Sequence, residues 1–386
     1  MVHPTKGALV LLLATAGSAA AQTRGFVVRL GVDTFAVERI IRKGARVEGA
    51  VVRHTPATTV LKYALALNPD GTVAWYQEGI FHADGTPVAD ARDGTAQTGM
   101  KMTFVGDTVI REVTQRGERK VKRNPAPRGT LPTVGGTSPY WQELVVGWAR
   151  RAGAEQFRFF GFDLRQDSAT VLGVRTIGPD SAEILAGGFR RGYKLDGHGQ
   201  VTRGDASLTT VKLAISPIRD ADIGAIATRW AAQDAAGRGM GVASTRDTVT
   251  AKVGDAAVWI DYGRPAKRGR RIWGQLVPWD TVWRFGANAA AQLKTDRDLT
   301  IGGTVVPAGL YSVWLLPSTG QSYLIVNQQA GQWGTVYDPS KDLVRIPIER
   351  FRGPPAGEER FRVMIKGDRL MMLWDDGGYE VRLSAP

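Results

Sequence analysis

The sequence predicts a mainly β protein: a curved antiparallel N-terminal sheet with covering helices, then a C-terminal β-sandwich or jelly roll. Three observations carry that expectation. Apolar and polar residues alternate with period two through most of the chain, tight-turn dipeptides break the alternation at short intervals, and only two stretches hold apolar residues at helical spacing. A length of 386 residues exceeds what one core usually fills. We divide it into an export signal at 1–21, a β-rich domain at 22–236, a glycine-rich linker at 237–243 and a second β domain at 244–386.

In the first domain Phe35 and Val37 alternate with Thr34, Ala36 and Glu38, and the run Tyr63 to Leu67 turns at Asn68-Pro69-Asp70-Gly71 and resumes at Val73. The Asp-Gly pair supplies the positive φ angles of a tight hairpin. Gly192 to Val201 repeats the form around Asp196-Gly197, which predicts related hairpins of one sheet. Ser138-Pro139 opens the first helix, with a capping hydroxyl before a first-turn proline and with Tyr140, Leu144, Val145, Trp148 and Ala149 on one face. Ile223, Ile226, Ala227, Trp230 and Ala231 form the stripe of the second. Phe157 to Phe162 reads as an aromatic core strand.

Ala235 to Gly241 alternates glycines but follows a helix and precedes strands, the reverse of a dinucleotide-binding loop, and so reads as a flexible linker. Beyond Ser244 the pattern is strands again. Val258, Ile260 and Tyr262 alternate with Trp259 and Asp261, and Phe361 to Ile365 turns at Lys366-Gly367-Asp368 into Leu370, Met372 and Trp374. Short strands with glycine and proline turns indicate a sandwich or jelly roll.

The first residues place Lys6 before an apolar run from Ala8 to Ala14, then Ala19 and Ala21 in an A-x-A arrangement, which predicts a cleaved secretory signal and a periplasmic or secreted protein. No stretch is long enough to cross a bilayer as a helix, for which about 20 apolar residues are needed. The chain has no cysteine, which removes disulfides, thiolate metal sites and a cysteine nucleophile. Its formal net charge is +13. A basic exported protein is drawn to envelope polysaccharide, lipid headgroups or another anionic ligand; export and the lack of a recognition module argue against nucleic acid.

Signatures of catalysis are sparse. His54, His82 and His198 are scattered, no HExxH pair or G-x-S-x-G elbow occurs, and no metal or cofactor is expected. Asp261, Asp298, Asp338, Asp375 and Asp376 could serve a carboxylate-dependent, glycosidase-like hydrolase by residue type alone. The richest chemistry lies in Trp273 to Asn288, WGQLVPWDTVWRFGAN, preceded by Arg264, Lys267, Arg268, Arg270 and Arg271. Seven of the eleven tryptophans fall in the second domain, more indole than a core of that size needs.

Arg264-Pro265, Gly269-Arg270, Gly302, Pro307-Ala308-Gly309-Leu310-Tyr311, Val326-Asn327, Gln332-Trp333-Gly334 and Tyr337-Asp338, in this order around that stretch, resemble the DUF2911 family of bacterial exported proteins. The resemblance covers the C-terminal third and implies export but no activity. One departure is Ala289-Ala290-Ala291 after Asn288, where relatives often carry a glutamate and a threonine. The residues themselves predict a noncatalytic binding surface, with a purely structural envelope component as the further alternative. Arg270 provides an electropositive rim, Trp273 or Trp283 a stacking ring, and Arg284 and Asn288 fixed polar groups, with Asn327, Trp333 and Tyr337 opposite. The structural alternative for Arg284 is a buried ion pair with Asp261 or Asp298.

Overall fold

The computed structural model describes residues 20–89, 97–115, 117–132, 138–164, 166–186, 189–206 and 212–385. The expected export signal lies almost wholly outside the described residues. Two β bodies make up the rest, and the protein is mainly β with two α-helices, α1 (Pro139–Arg151) and α2 (Ile223–Ala235).

The first body is one 15-stranded sheet built from two meanders. Eight strands run from Gln22–Leu30 to Glu118–Pro125, each antiparallel to the one before it. A second set returns through Gln156–Asp163 and ends at Ala214–Ile218, which pairs with the first strand with Val27 opposite Ser216. Strand parity then decides which side each residue serves. On Asp33–Lys43, Ala36 and Ile40 enter the main core with α1, whereas Val37 joins Val52 and Val60 beneath Ile223, Ala227 and Trp230 of α2. On the aromatic strand Phe159 and Phe162 both reach the main core although they differ in parity. His82 and His198 are exposed, and His54 stacks on Trp230 at 4.4 Å.

Parity also puts Glu38 on the core face, fully buried. Burial of a carboxylate needs donors, and the Tyr63 hydroxyl (2.7 Å), the Ser138 hydroxyl and the Tyr140 backbone N–H (3.2 Å) supply them. Ser138 occupies the N-cap position of α1 but makes no side-chain cap bond. Its hydroxyl is drawn to Glu38, and Glu38 itself accepts from the first turn of the helix, so the cap comes from the sheet.

The second body starts at Ser244. Its 11 strands form one sheet whose ends nearly meet: the strand Glu358–Lys366 packs against Ser244–Val253 and Ala256–Pro265, and Ala266 bridges Arg360. The two layers expected of a sandwich are thus two sides of a nearly closed, barrel-like sheet. Its core holds Tyr262, Trp273, Trp283, Phe285, Phe361, Trp374 and Tyr379 in edge-to-face and stacked contact.

The segment between the bodies is pinned to the first. Met240 is buried in the first core, and the Thr55 hydroxyl donates to the Gly241 carbonyl at 2.7 Å. An apolar side chain amid the glycines anchors a stretch whose composition predicts a free linker.

Candidate functional site

The tryptophan-rich segment folds inward and stoppers the second barrel. Leaving strand Ala256–Pro265, the chain is clipped to Glu359 by Lys267 N–H (2.6 Å to the carbonyl) and Arg268 N–H (2.9 Å to the carboxylate). It then reverses at Gly274, whose φ of 81° a side chain rarely adopts and where a Cβ would strike the Trp279 ring at 2.6 Å. Trp283 and Leu315 exchange backbone hydrogen bonds at 2.7 and 2.8 Å, which fixes the direction of the residues that follow. Trp273 is buried and donates from its indole to the Trp374 carbonyl at 3.0 Å; Trp283 is buried between Phe361 and Trp374. Both rings therefore act first as core. Trp279 is half-buried beneath the Arg350 guanidinium.

Arg284 follows Trp283 into the interior and is 8% exposed. Neither acid expected as its alternative partner is engaged there: Asp261 is bonded by Arg246, and Asp298 accepts from Ala308 N–H at 3.0 Å. Instead Arg284 borders a cavity of about 80 Å³ where the two bodies meet. The volume is on the scale of a few waters, room for one small polar group. Arg270, Asn288 and Trp283 line it from the second body, Leu30 and Lys212 from the first.

Three cations thus converge from distant segments, and among the described residues no carboxylate lines the cavity. Burial alone pushes Arg284 down to about 10. Lys212 is pushed down to about 8, chiefly by burial, then by the charges of Arg284 and Arg270, against a weaker pull from Asp205. Arg270 is also lowered by burial and by Arg268; its guanidinium donates to the Lys267 carbonyl at 2.8 Å and the Ala266 carbonyl at 2.6 Å. Removing a cation from water raises its free energy, and crowding like charges adds to that cost. An anion in the cavity would relieve both.

The bodies are held across this junction by Arg268. Its guanidinium pairs with Asp33 and donates to the Met240 carbonyl at 3.2 Å, while the Val32 N–H donates to the Arg268 carbonyl at 3.1 Å. Gly31 is required there, since a Cβ would fall 2.2 Å from the Arg268 carbonyl oxygen.

The remaining expected residues divide. The Trp333 segment does meet the loop: Gly334 N–H donates to the Asn288 carbonyl at 2.9 Å, Ala289 bridges Trp333, and the Trp333 indole stays 42% exposed on the outside. Asn288 has φ 63°, and its side chain is half-buried at the cavity edge. Asn327 and Tyr337 belong to a separate knot. The fully buried Asn327 amide donates to the Asp338 carbonyl and to Asp342, both at 2.9 Å; the Tyr337 hydroxyl donates to Asp342 at 2.6 Å and its ring packs on Trp314. Those bonds shape the loop after strand Ser322–Asn327, away from the cavity lining. Lys212 was not foreseen, because a lone lysine between Val211 and Leu213 carries no signal before the bodies dock.

Fold and site together define a two-body β protein with a cationic junction. Residues 244–383 match the family model described as protein of unknown function (DUF2911). No curated protein matches the chain in sequence. Among solved structures, it is similar to a β-barrel-like protein of domain of unknown function DUF1849 from Brucella abortus, at 10% identity and a TM-score of 0.32, over 53% of this chain and 100% of that one. Among the described residues no helix is long and apolar enough to cross a membrane, and no group of three or more metal-ligating side chains occurs.

Proposed function

We propose that the protein is an exported, noncatalytic binding protein that holds an anionic group of an envelope glycan, or another anionic ligand, in the junction cavity. Arg284 and Arg270 would pair with the anion, Lys212 would complete its charge, and the Asn288 side chain would add a hydrogen bond. The observation that carries this reading is the convergence of three cations on one cavity, Arg284 buried and Arg270 and Lys212 half-buried. The leader-like residues 1–21 support export, and the basic balance supports an anionic ligand. Trp333, exposed beyond the Asn288–Ala289 backbone, would stack on the part of a glycan left outside.

Calorimetric titration of the chain with inorganic phosphate, galacturonate and glucose 1-phosphate tests it. Saturable binding that weakens about tenfold or more in Lys212→Met, a factor of roughly 1.4 kcal/mol, is expected. Arg284→Lys keeps the charge and loses the planar fork, so it should bind with intermediate strength. Absence of saturable binding for all three ligands, or unchanged affinity in Lys212→Met, overturns the reading. Trp333→Ala should weaken binding of an acidic oligosaccharide and leave inorganic phosphate unaffected.

A further inference from the structure

We infer that the outer face of the first sheet is a second, independent site, an open trough that takes an extended acidic polysaccharide. Helix α2 covers one part of this face through Val37, Val52 and Val60. Beside it, strand parity brings another row of residues to the surface. Ala50 pairs with Lys62, Lys62 with Gly79, Ala64 with Gln77, Gln77 with Lys101, and Thr114 with Arg119. With Gly99 on the strand next to Gly79, the middle of the row lacks bulk, and the sheet surface sinks into a trough of about 670 Å³. Packing does not require glycine at position 99, where a Cβ would meet nothing nearer than the Glu78 carbonyl oxygen at 3.7 Å. The effect of Gly99 is open space above the sheet.

The trough is basic. Arg39, Arg46, Lys62, Lys101 and Arg119 line it against the outward acids Glu48 and Glu112. Arg46 pairs with Glu48, Arg119 with Glu112, and Arg39 with Asp220 at the edge. Lys62 and Lys101 remain, both exposed and ion-paired with no carboxylate among the described residues; Lys62 sits 5.0 Å over the Phe81 ring. Two cations above a floor with the Gln77 amide and Thr114 hydroxyl suit a chain that alternates carboxylates with hydroxyls. The row crosses six strands, about 24 Å at ~4.8 Å per spacing, enough for several linked sugars. The large apolar side chains that line it on this face among the described residues, Ile41 and Phe81, are half-buried, whereas insertion into a bilayer needs them to project.

Binding of a galacturonate hexamer to the full chain, against maltohexaose and phosphatidylglycerol vesicles, decides the matter. The acidic hexamer should bind and maltohexaose should not. Measured in a Lys212→Met background, which weakens the junction cavity, Lys62→Glu with Lys101→Glu should lower affinity about tenfold or more. Gly99→Leu in the same background fills the floor without changing charge and should also abolish most of the remaining binding. No binding of the hexamer, retention in the double variant, retention in Gly99→Leu, or capture by vesicles alone would each overturn the inference; circular dichroism of each variant confirms that the sheet is retained.

Discussion

Gly334 lies flush on Arg284: a Cβ at position 334 would sit 2.0 Å from the arginine Cδ and 2.4 Å from the Asn288 carbonyl oxygen. The contact leaves the aliphatic part of Arg284 no room to move toward position 334. Because Asn288 also accepts the Gly334 N–H, the two segments cannot separate without losing that bond.

Gly334→Ala should therefore displace Arg284. Overpacking of this kind typically costs 1 to 3 kcal/mol, so a melting-temperature loss is expected together with weaker phosphate binding. A variant with unchanged phosphate affinity would show that the position of Arg284 does not matter to the ligand.

Anion binding should fade with rising pH. Lys212, held down at about 8, is largely charged at neutral pH and loses its proton above that value. An anion raises its affinity for the proton, so binding takes up protons and weakens as pH climbs from 7 to 9. Calorimetry in buffers of different ionisation heat measures the proton uptake, and Lys212→Met should flatten the profile.

Glu38 predicts an opposite kind of pH response, in stability. Burial raises its carboxyl from 4.5 to about 7 in spite of hydrogen bonds from Ser138, Tyr63 and Tyr140 that lower it. A raised folded-state value means the folded protein holds the proton more tightly. This contribution is complete below about pH 4.5 and is lost as pH rises through 7, roughly 3 kcal/mol in all. Chemical denaturation at pH 5 and pH 8.5 should show wild type losing more stability than Glu38→Gln over that interval; equal losses would rule the effect out.

Removing the Arg268 side chain should loosen the two bodies. Arg268→Ala leaves Asp33 and the Met240 carbonyl without a shared donor, a loss of about 1 to 3 kcal/mol. Limited proteolysis within residues 237–243 should accelerate, and phosphate binding should weaken with it. Cleavage at the wild-type rate would place the hinge elsewhere.

Much of this architecture is legible in the residues. Period-two alternation located the strands, and the stripes at Tyr140–Ala149 and Ile223–Ala231 marked both helices, because burial on one side of an element leaves a periodic trace. Glu38 was not legible, since it alternates with Phe35 and Val37 as a solvent-facing acid would and only the packing of α1 makes its face core. The cavity left weaker traces. Arg270, Arg284 and Asn288 stood out by type, yet Trp273 and Trp283 are indistinguishable from binding aromatics until their neighbours are known. Asn327 and Tyr337 stood in the same motif region but fold into a knot with Asp342. Lys212 and the trough depend on docking and on cross-strand register, neither of which a linear pattern encodes.

The seam between Val27 and Ser216 has a consequence for how the chain matures. Each meander closes through neighbouring hairpins, which form early, whereas this pairing must wait until the far end of the domain has been delivered. Until then the first strand, with Phe26, Val27 and Val28, presents an open apolar edge of the kind that recruits other chains. A newly made chain would spend that interval with the edge uncovered, and aggregation in vitro should be worst for fragments that stop short of residue 214.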